Sequence, residues 1–361
     1  MRPQEQTPLL RKVRIAVTWG CDYECDYCRP GGDGSASNTK KPLSAMNILR
    51  IAQLFERCGC SQVNITGGEP TLRKDIDVVL NLLLGHTSLR VHLNTNGFRI
   101  PTIVKLAGAA ERLTVIASLD SVSEVVSRRG GRPGAPARID RLLTTMREEG
   151  ISSRINCVLT RETNFGPQIS EMVRFARERN VGIKFQTVFD TVDDVFRAHE
   201  NIYTGIFTAR QTIRDLGYAL RGLHNVGSGV TEEVWRTDDG ATVHLLDKSP
   251  TETLFTQSCA SCAYYPCDTG MYAYFVDHTG TLSRCRTDRR AICNLLDIPL
   301  SEVGIAAVRS ILISLYGERI EKNHSYRRNR WLREELLDKS FDRSIQDLRK
   351  RSYRVFTLQA G

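Results

Sequence analysis

Short β-type runs alternate with stretches of helical spacing over the first 190 residues, which predicts an α/β protein built on a parallel sheet. Two further observations narrow its character. Small polar and glycine residues of ligand-binding type stand just after four successive strands. The eleven cysteines also fall into clusters, three within Cys21–Cys28 and five within Cys259–Cys293, with Cys58, Cys60 and Cys157 between.

The elements follow in order. Val13–Thr18 reads as a strand, Ser44–Arg57 as a helix with Ser44 as its N-cap, and Gln62–Ile65 as a second strand. A helix over Asp75–Leu84 leads to a strand at Arg90–Leu93. A helix near Pro101–Ala110 precedes a strand at Leu113–Ala117. Ile139–Glu149 is helical and stops at Gly150; Ile155–Leu159 is a strand, Ile169–Arg179 a helix and Gly182–Gln186 a sixth strand. Such βαβ units suit an open doubly wound sheet or a full or partial barrel, and periodicity alone does not choose. Beyond residue 190 the rhythm changes. Asp190–Glu200 reads as an acidic connection and Thr208–Leu223 as a helix. Met271–Val276 and Thr281–Arg284 form a hairpin about Asp277–Gly280, and the last 60 residues read as helical and basic.

Composition excludes several classes. No run of about 18 apolar residues is present, so a membrane span is not expected. Met1–Arg11 is polar, unlike a signal peptide, so the expected location is the cytoplasm, where clustered cysteines indicate metal or redox chemistry rather than disulfides. Net charge is +9, and Arg319–Arg354, with 12 Lys/Arg against 6 Asp/Glu, carries +6 of it. Tyr326 and Trp331 among arginines superficially suit RNA, but Arg333-Glu334-Glu335 and Asp338-Lys339 pair like an ordinary helical face, so nucleic acid is not the expected partner.

The strongest motif is Cys21-x3-Cys25-x2-Cys28, just after the first strand. A compact loop of three thiolates suits one metal cluster and leaves one iron of a 4Fe–4S cluster open; a zinc site would need a distant fourth ligand. Thr66-Gly67-Gly68-Glu69-Pro70 follows the second strand, where glycines permit close backbone approach and a carboxylate can accept from an ammonium group. Asn94-Thr95-Asn96-Gly97 follows the third strand and Ser118-Leu119-Asp120 the fourth. Either is also compatible with a turn or helix cap.

These residues together resemble the radical S-adenosylmethionine (SAM) superfamily. Within it they resemble the molybdopterin-precursor cyclases (GTP 3′,8-cyclases) and their SPASM/Twitch-domain relatives. The likeness rests on the cysteine motif with Tyr27 before its last member, Cys28-Arg29-Pro30, Gly67–Asp75, Thr95-Asn96-Gly97, Ser118-Leu119-Asp120 and Asn156–Thr160, and it covers about residues 10–190. The resemblance implies a partial (βα)6 TIM-type barrel. Cys21, Cys25 and Cys28 would hold a 4Fe–4S cluster whose open iron binds SAM. Gly67, Gly68 and Glu69 would hold the methionyl amine, with Tyr27 near the adenine and Ser118 near the ribose or carboxylate. Asn94 and Thr95 would line the same pocket, as would Asn156. It further implies reductive cleavage of SAM to a 5′-deoxyadenosyl radical, with a flavodoxin or ferredoxin as reductant.

In the second cluster, Cys259-x2-Cys262 and a cysteine after the hairpin can hold an iron–sulfur cluster or zinc. The resemblance favours an auxiliary 4Fe–4S cluster on Cys259, Cys262 and Cys285, with Cys267 as the preferred fourth ligand and Cys293 the alternative; as a lone cysteine Cys293 otherwise reads as a core thiol. The cyclases carry arginines that grip GTP just after the second cysteine, whereas Ala263–Tyr272 has none. The expected substrate is therefore a small molecule, a sugar or nucleoside of cofactor or antibiotic biosynthesis. GTP cyclisation and peptide maturation are the alternatives. Arg29, Arg73, Lys74, Arg284 and Arg286 are candidates to meet it. The expected organisation is a barrel over 1–190, a helical connection over 191–240, an auxiliary-cluster domain over 241–300 and a basic helical region over 301–361.

Overall fold

The computed structural model describes residues 12–28, 41–102, 109–160, 162–187, 206–227, 230–247, 255–256, 273–283, 291–317 and 319–320. Six parallel strands lie side by side in chain order: β1 (Lys12–Ala16), β2 (Gln62–Thr66), β3 (Arg90–Thr95), β4 (Leu113–Ser118), β5 (Ser152–Leu159) and β6 (Gly182–Thr187). The helices between them are α1 (Ala45–Arg57), α2 (Ile76–His86), α3 (Ala109–Arg112), α4 (Glu124–Arg129), α5 (Ala135–Glu148) and α6 (Gly166–Glu178). This is the α/β arrangement of a partial (βα)6 barrel.

Local chemistry explains the boundaries. Ser44 caps α1, its hydroxyl accepting from Asn47 N–H at 3.2 Å. Gly150 (φ +69°) ends α5, its N–H bonding Arg147 O at 3.1 Å while Ile151 N–H bonds Met146 O at 2.8 Å. The helix-facing residues of the strands are fully buried: Val13, Ile15, Val63, Ile65, Val91, Leu93, Val115 and Ile155 pack into one core with Ile48, Ile51, Leu54 and Phe55 of α1. Each such side chain contributes about 1.5–3 kcal/mol on burial.

Beyond β6 the structure departs from the helix expected over Thr208–Leu223. Helix α7 spans only Phe207–Asp215, and Gly217 (φ +83°) terminates it with a bond to Arg214 O at 2.9 Å. The chain then forms β7 (Ala219–Gly227), β8 (Val230–Arg236) and β9 (Thr242–Asp247), an antiparallel set in which β9 pairs parallel with β6. A short strand β10 (Phe255–Thr256) follows. The expected hairpin is present as β11 (Tyr274–Val276) and β12 (Thr281–Ser283), joined to β13 (Ala291–Asn294). Strand β11 pairs parallel with β1, so one twelve-stranded sheet runs through both halves of the chain. Helix α8 (Glu302–Gly317) and β14 (Arg319–Ile320), which pairs with β10, complete the described elements. No helix among the described residues is long and apolar enough to cross a membrane. The acidic connection at 190–200 and the basic segment 321–361, with its RNA-like residues, lie outside the described residues.

Candidate active site

The ends of β1 and β2 position the two principal motifs against each other. Their pairing continues past the strands: Val17 N–H donates to Thr66 O at 2.8 Å, Gly68 N–H to Thr18 O at 3.0 Å and Glu69 N–H to Gly20 O at 2.7 Å. A Cβ on Gly67 would lie 2.3 Å from Thr18 O, and one on Gly68 2.1 Å from Gly20 O. The glycines are thus required by contact between the two loops, a use distinct from the ligand approach read from sequence.

Glu69 ties these loops to the third. It is 1 % exposed, and its Oε1 accepts from Thr71 N–H (2.8 Å), Thr71 Oγ1 (2.6 Å) and Thr95 Oγ1 (2.6 Å), while Oε2 accepts from Asn96 N–H (2.6 Å). Burial raises its pKa, against the four donors, which favour the carboxylate. Oε2 retains acceptor capacity for a further donor. Thr95 therefore acts as a brace for Glu69.

Cys21 and Cys28 are exposed, Cys25 is partly so, and all three line one cavity of about 410 Å³. Cys21 Sγ accepts from Tyr23 N–H at 3.5 Å and from Asn96 Nδ2 at 3.9 Å, and Cys25 Sγ accepts from Arg132 Nε at 3.1 Å. Burial pushes the Cys25 thiol up to about 11, opposed by Arg132; metal binding displaces that proton. Among the described residues no three His, Cys, Asp or Glu side chains converge on a single ion. Three free thiols on one open cavity, with N–H groups aimed at two of the sulfurs, fit a cluster with an open coordination position.

The other expected pocket residues separate into two groups. Gly67, Gly68, Asn94, Ser118 and Asn156 line the cavity with the thiols. Asn156 Oδ1 is buried with no partner among the described residues, as an atom awaiting a ligand would be. Tyr27 also lines it, but its hydroxyl is committed to Asp120 Oδ2 at 2.5 Å. Arg73 is a structural residue: it forks onto Asp75 (3.0 and 2.8 Å) and donates to Val17 O (2.8 Å) and Leu43 O (2.9 Å), bracing the segment that leads into the cysteine loop. Lys74 is exposed and does not line the cavity. Arg29, Cys259, Cys262, Cys267, Arg284, Cys285 and Arg286 lie outside the described residues; Cys293 is a partly buried free thiol on β13.

Beneath the loops the cavity continues into the sheet, and sequence reading missed its lining. Lys12 and Arg14 of β1, His92 of β3, Arg154 of β5 and Lys184 of β6 line it, interleaved with Gln62, Asn64 and Gln186. Lys184 is ion-paired with Glu232 of β8, whose Oε1 also contacts His244 Nδ1 at 2.7 Å. Arg154 Nε is buried with no partner among the described residues, and burial lowers the pKa of both Arg154 and Lys12. The available signal was alternation: Lys-Val-Arg-Ile, Arg-Ile-Asn and Ile-Lys-Phe-Gln place polar residues at every second position of parallel strands, which are normally apolar on both faces.

A parallel barrel whose first strand leads into a three-cysteine loop, docked on a Gly-Gly-Glu loop, defines the radical SAM class, in which a 4Fe–4S cluster and SAM are the cofactors. Residues 15–176 match the family model described as the Radical SAM superfamily, and this stretch is a domain of that superfamily. Similar curated proteins include the GTP 3′,8-cyclase of Synechococcus elongatus, 30% identical over 190 residues (51% of this chain, 57% of that one). The Edwardsiella ictaluri GTP 3′,8-cyclase is 28% identical over 255 residues (69% and 74%). Molybdenum cofactor biosynthesis protein 1 of Drosophila melanogaster is 31% identical over 178 residues, covering 48% of this chain and 31% of that one. The chain thus spans under two thirds of the Drosophila and Synechococcus proteins. In fold it is similar to Streptococcus suis SuiB bound to S-adenosylmethionine, with a TM-score of 0.56 at 19% identity, covering 84% of this chain and 68% of that one.

Proposed function

We propose that this chain is a radical SAM enzyme acting on a small anionic substrate, a sugar or nucleoside carrying phosphate or carboxylate groups. With cluster and SAM bound, the site supplies one-electron reductive cleavage of SAM and a 5′-deoxyadenosyl radical able to abstract hydrogen. The chain's own residues do the rest. Gly67, Gly68 and Glu69 shape the SAM side of the cavity, with Asn94, Ser118 and Asn156 offering polar groups around it. Lys12, Arg14 and Arg154 hold an anion below it, away from bulk water. The observation that carries the substrate class is the buried Arg154 Nε without a partner, on a cavity continuous with the cysteine loop. A buried guanidinium nitrogen left unsatisfied is costly, and an anion relieves that cost.

Cys259, Cys262, Cys267 and Cys285 complete the reading as ligands of an auxiliary 4Fe–4S cluster, and a flavodoxin or ferredoxin as the reductant. GTP cyclisation is the second reading, favoured by the names of the curated relatives. The test is anaerobic reconstitution, iron and sulfide analysis, and assay of 5′-deoxyadenosine with dithionite. About eight irons per chain are expected for two clusters. Nucleotides and sugar phosphates should raise 5′-deoxyadenosine formation above the level with SAM alone, whereas their neutral nucleosides and sugars should not. Formation of a cyclised nucleotide from GTP would select the second reading. Absence of SAM cleavage in folded, iron-loaded protein would refute both.

A further inference from the structure

Arg132 belongs to none of the motifs that the sequence singles out, yet it reaches the cysteine loop. The segment that carries it follows α4 and is pressed onto that loop: Glu24 N–H donates to Gly131 O at 3.1 Å, and a Cβ on Gly131 (φ +76°) would lie 2.1 Å from Glu24 O. From there the Arg132 side chain, only 7 % exposed as a residue, aims Nε at Cys25 Sγ, 3.1 Å away. Its Nη1 is bonded to Asp120, which also accepts from the Tyr27 hydroxyl. The guanidinium lies over the rings of Tyr23 and Tyr27, 5.9 and 5.8 Å from their centroids. A carboxylate, two aromatic faces and a close backbone contact thus fix the direction in which this charged N–H points.

We propose that Arg132 is a positioning residue that sets the reduction potential of the cluster held by Cys25, a role that rests on the reading of Cys21, Cys25 and Cys28 as its ligands. Hydrogen bonds to ligand sulfurs and nearby charge are among the determinants of iron–sulfur potentials. Adding one electron increases the negative charge on the cluster and its thiolates. An N–H···S bond from a cation strengthens as that charge grows, and inside a protein it is weakly screened. Arg132 therefore favours the reduced state, the state that must form before SAM is cleaved. Asp120 offsets the guanidinium charge at longer range, which leaves the directed N–H···S bond as the local effect. The electron comes from the external one-electron reductant; no bond is made or broken at Arg132 and no proton leaves it.

The test is an anaerobic redox titration of the full-length reconstituted protein, followed by electron paramagnetic resonance of the reduced cluster. Arg132→Lys keeps the charge and removes the planar fork. The double variant Arg132→Met/Asp120→Asn removes both members of the ion pair, so no buried charge is left unmatched. Both variants should retain wild-type iron and show a midpoint potential more negative than wild type, with the larger shift in the double variant. Unchanged potentials at full iron content would overturn the proposal. So would loss of the cluster from both variants while wild type keeps it, since that makes Arg132 purely structural. A wild-type protein that takes up no iron would instead overturn the cluster reading beneath it.

Discussion

Gly68 and Gly20 meet backbone to backbone: a Cβ on Gly68 would stand 2.1 Å from Gly20 O, the same oxygen that accepts from Glu69 N–H at 2.7 Å. The contact holds the three-cysteine loop in register with the Gly-Gly-Glu loop. Neither side can yield without breaking a backbone hydrogen bond. Gly68→Ala is expected to destabilise the fold by about 1–3 kcal/mol, the usual cost of overpacking, and to lower iron retention after reconstitution. Thermal melting and iron analysis check it; an unchanged melting temperature with full iron content would show that the contact is dispensable.

The parts of this site that were legible in the sequence are those whose signal is local. Six strands and the cysteine and glycine motifs follow from adjacent residues, although β3, β4 and β6 run one or two residues further than their apolar pattern. Thr95 and Ser118, the last positions of β3 and β4, are polar and line the cavity. The helix expected across Thr208–Leu223 failed at Gly217, whose left-handed backbone stops α7 so that the next residues can extend into β7. Arg132 was invisible because its partner Cys25 is 107 residues away in sequence. The bonds of Arg73 were hidden for the same reason: its carbonyl partners, Val17 and Leu43, are neighbours only in the folded chain.

Arg73 separates a structural from a substrate role. Its guanidinium satisfies two backbone carbonyls and forks onto Asp75, so Arg73→Met leaves those acceptors unmatched. The expected cost is about 1–3 kcal/mol of stability, with little change in the KM for substrate at a temperature where the variant is folded. Lys74→Met, at an exposed position, should change stability by less than about 0.5 kcal/mol. A large rise in KM for Arg73→Met without loss of stability would return Arg73 to the substrate site.

Lys12 gives the cationic floor a pH dependence. Burial lowers its pKa, with Glu232 opposing and Arg154 and Arg90 adding to the shift. The cationic form attracts an anion and the neutral form does not. Affinity for a phosphate-bearing ligand should therefore weaken as pH rises through the lowered pKa, while the arginines keep their charge. Lys12→Arg should flatten the high-pH decline, and Lys12→Met should bind more weakly below the Lys12 pKa, match wild type above it and lack that step. Titration calorimetry with an active nucleotide or sugar phosphate measures this; a parallel decline in wild type and Lys12→Arg would assign the step to another group.

His92 supplies a stability change of opposite pH sense. Burial, with Arg154, Lys12 and Arg90 nearby, lowers its pKa from the ordinary 6.5 to about 4. Gln62 Nε2 lies 3.2 Å from His92 Nδ1, and since an amide nitrogen only donates, that ring nitrogen is the acceptor of a neutral imidazole. Above pH 6.5 the histidine is neutral in folded and unfolded chains and adds no pH dependence. Between 6.5 and about 4 only the unfolded chain takes up the proton, so stability falls with pH, by about 3 kcal/mol at the lower limit. Other groups titrate in the same window, so the quantity to measure is the difference between wild type and His92→Gln in urea unfolding from pH 7.5 to 4. Wild type should lose stability relative to the variant as the pH falls below 6.5, and the difference should be constant above 7. A difference that does not change with pH would mean that His92 takes up its proton inside the folded sheet.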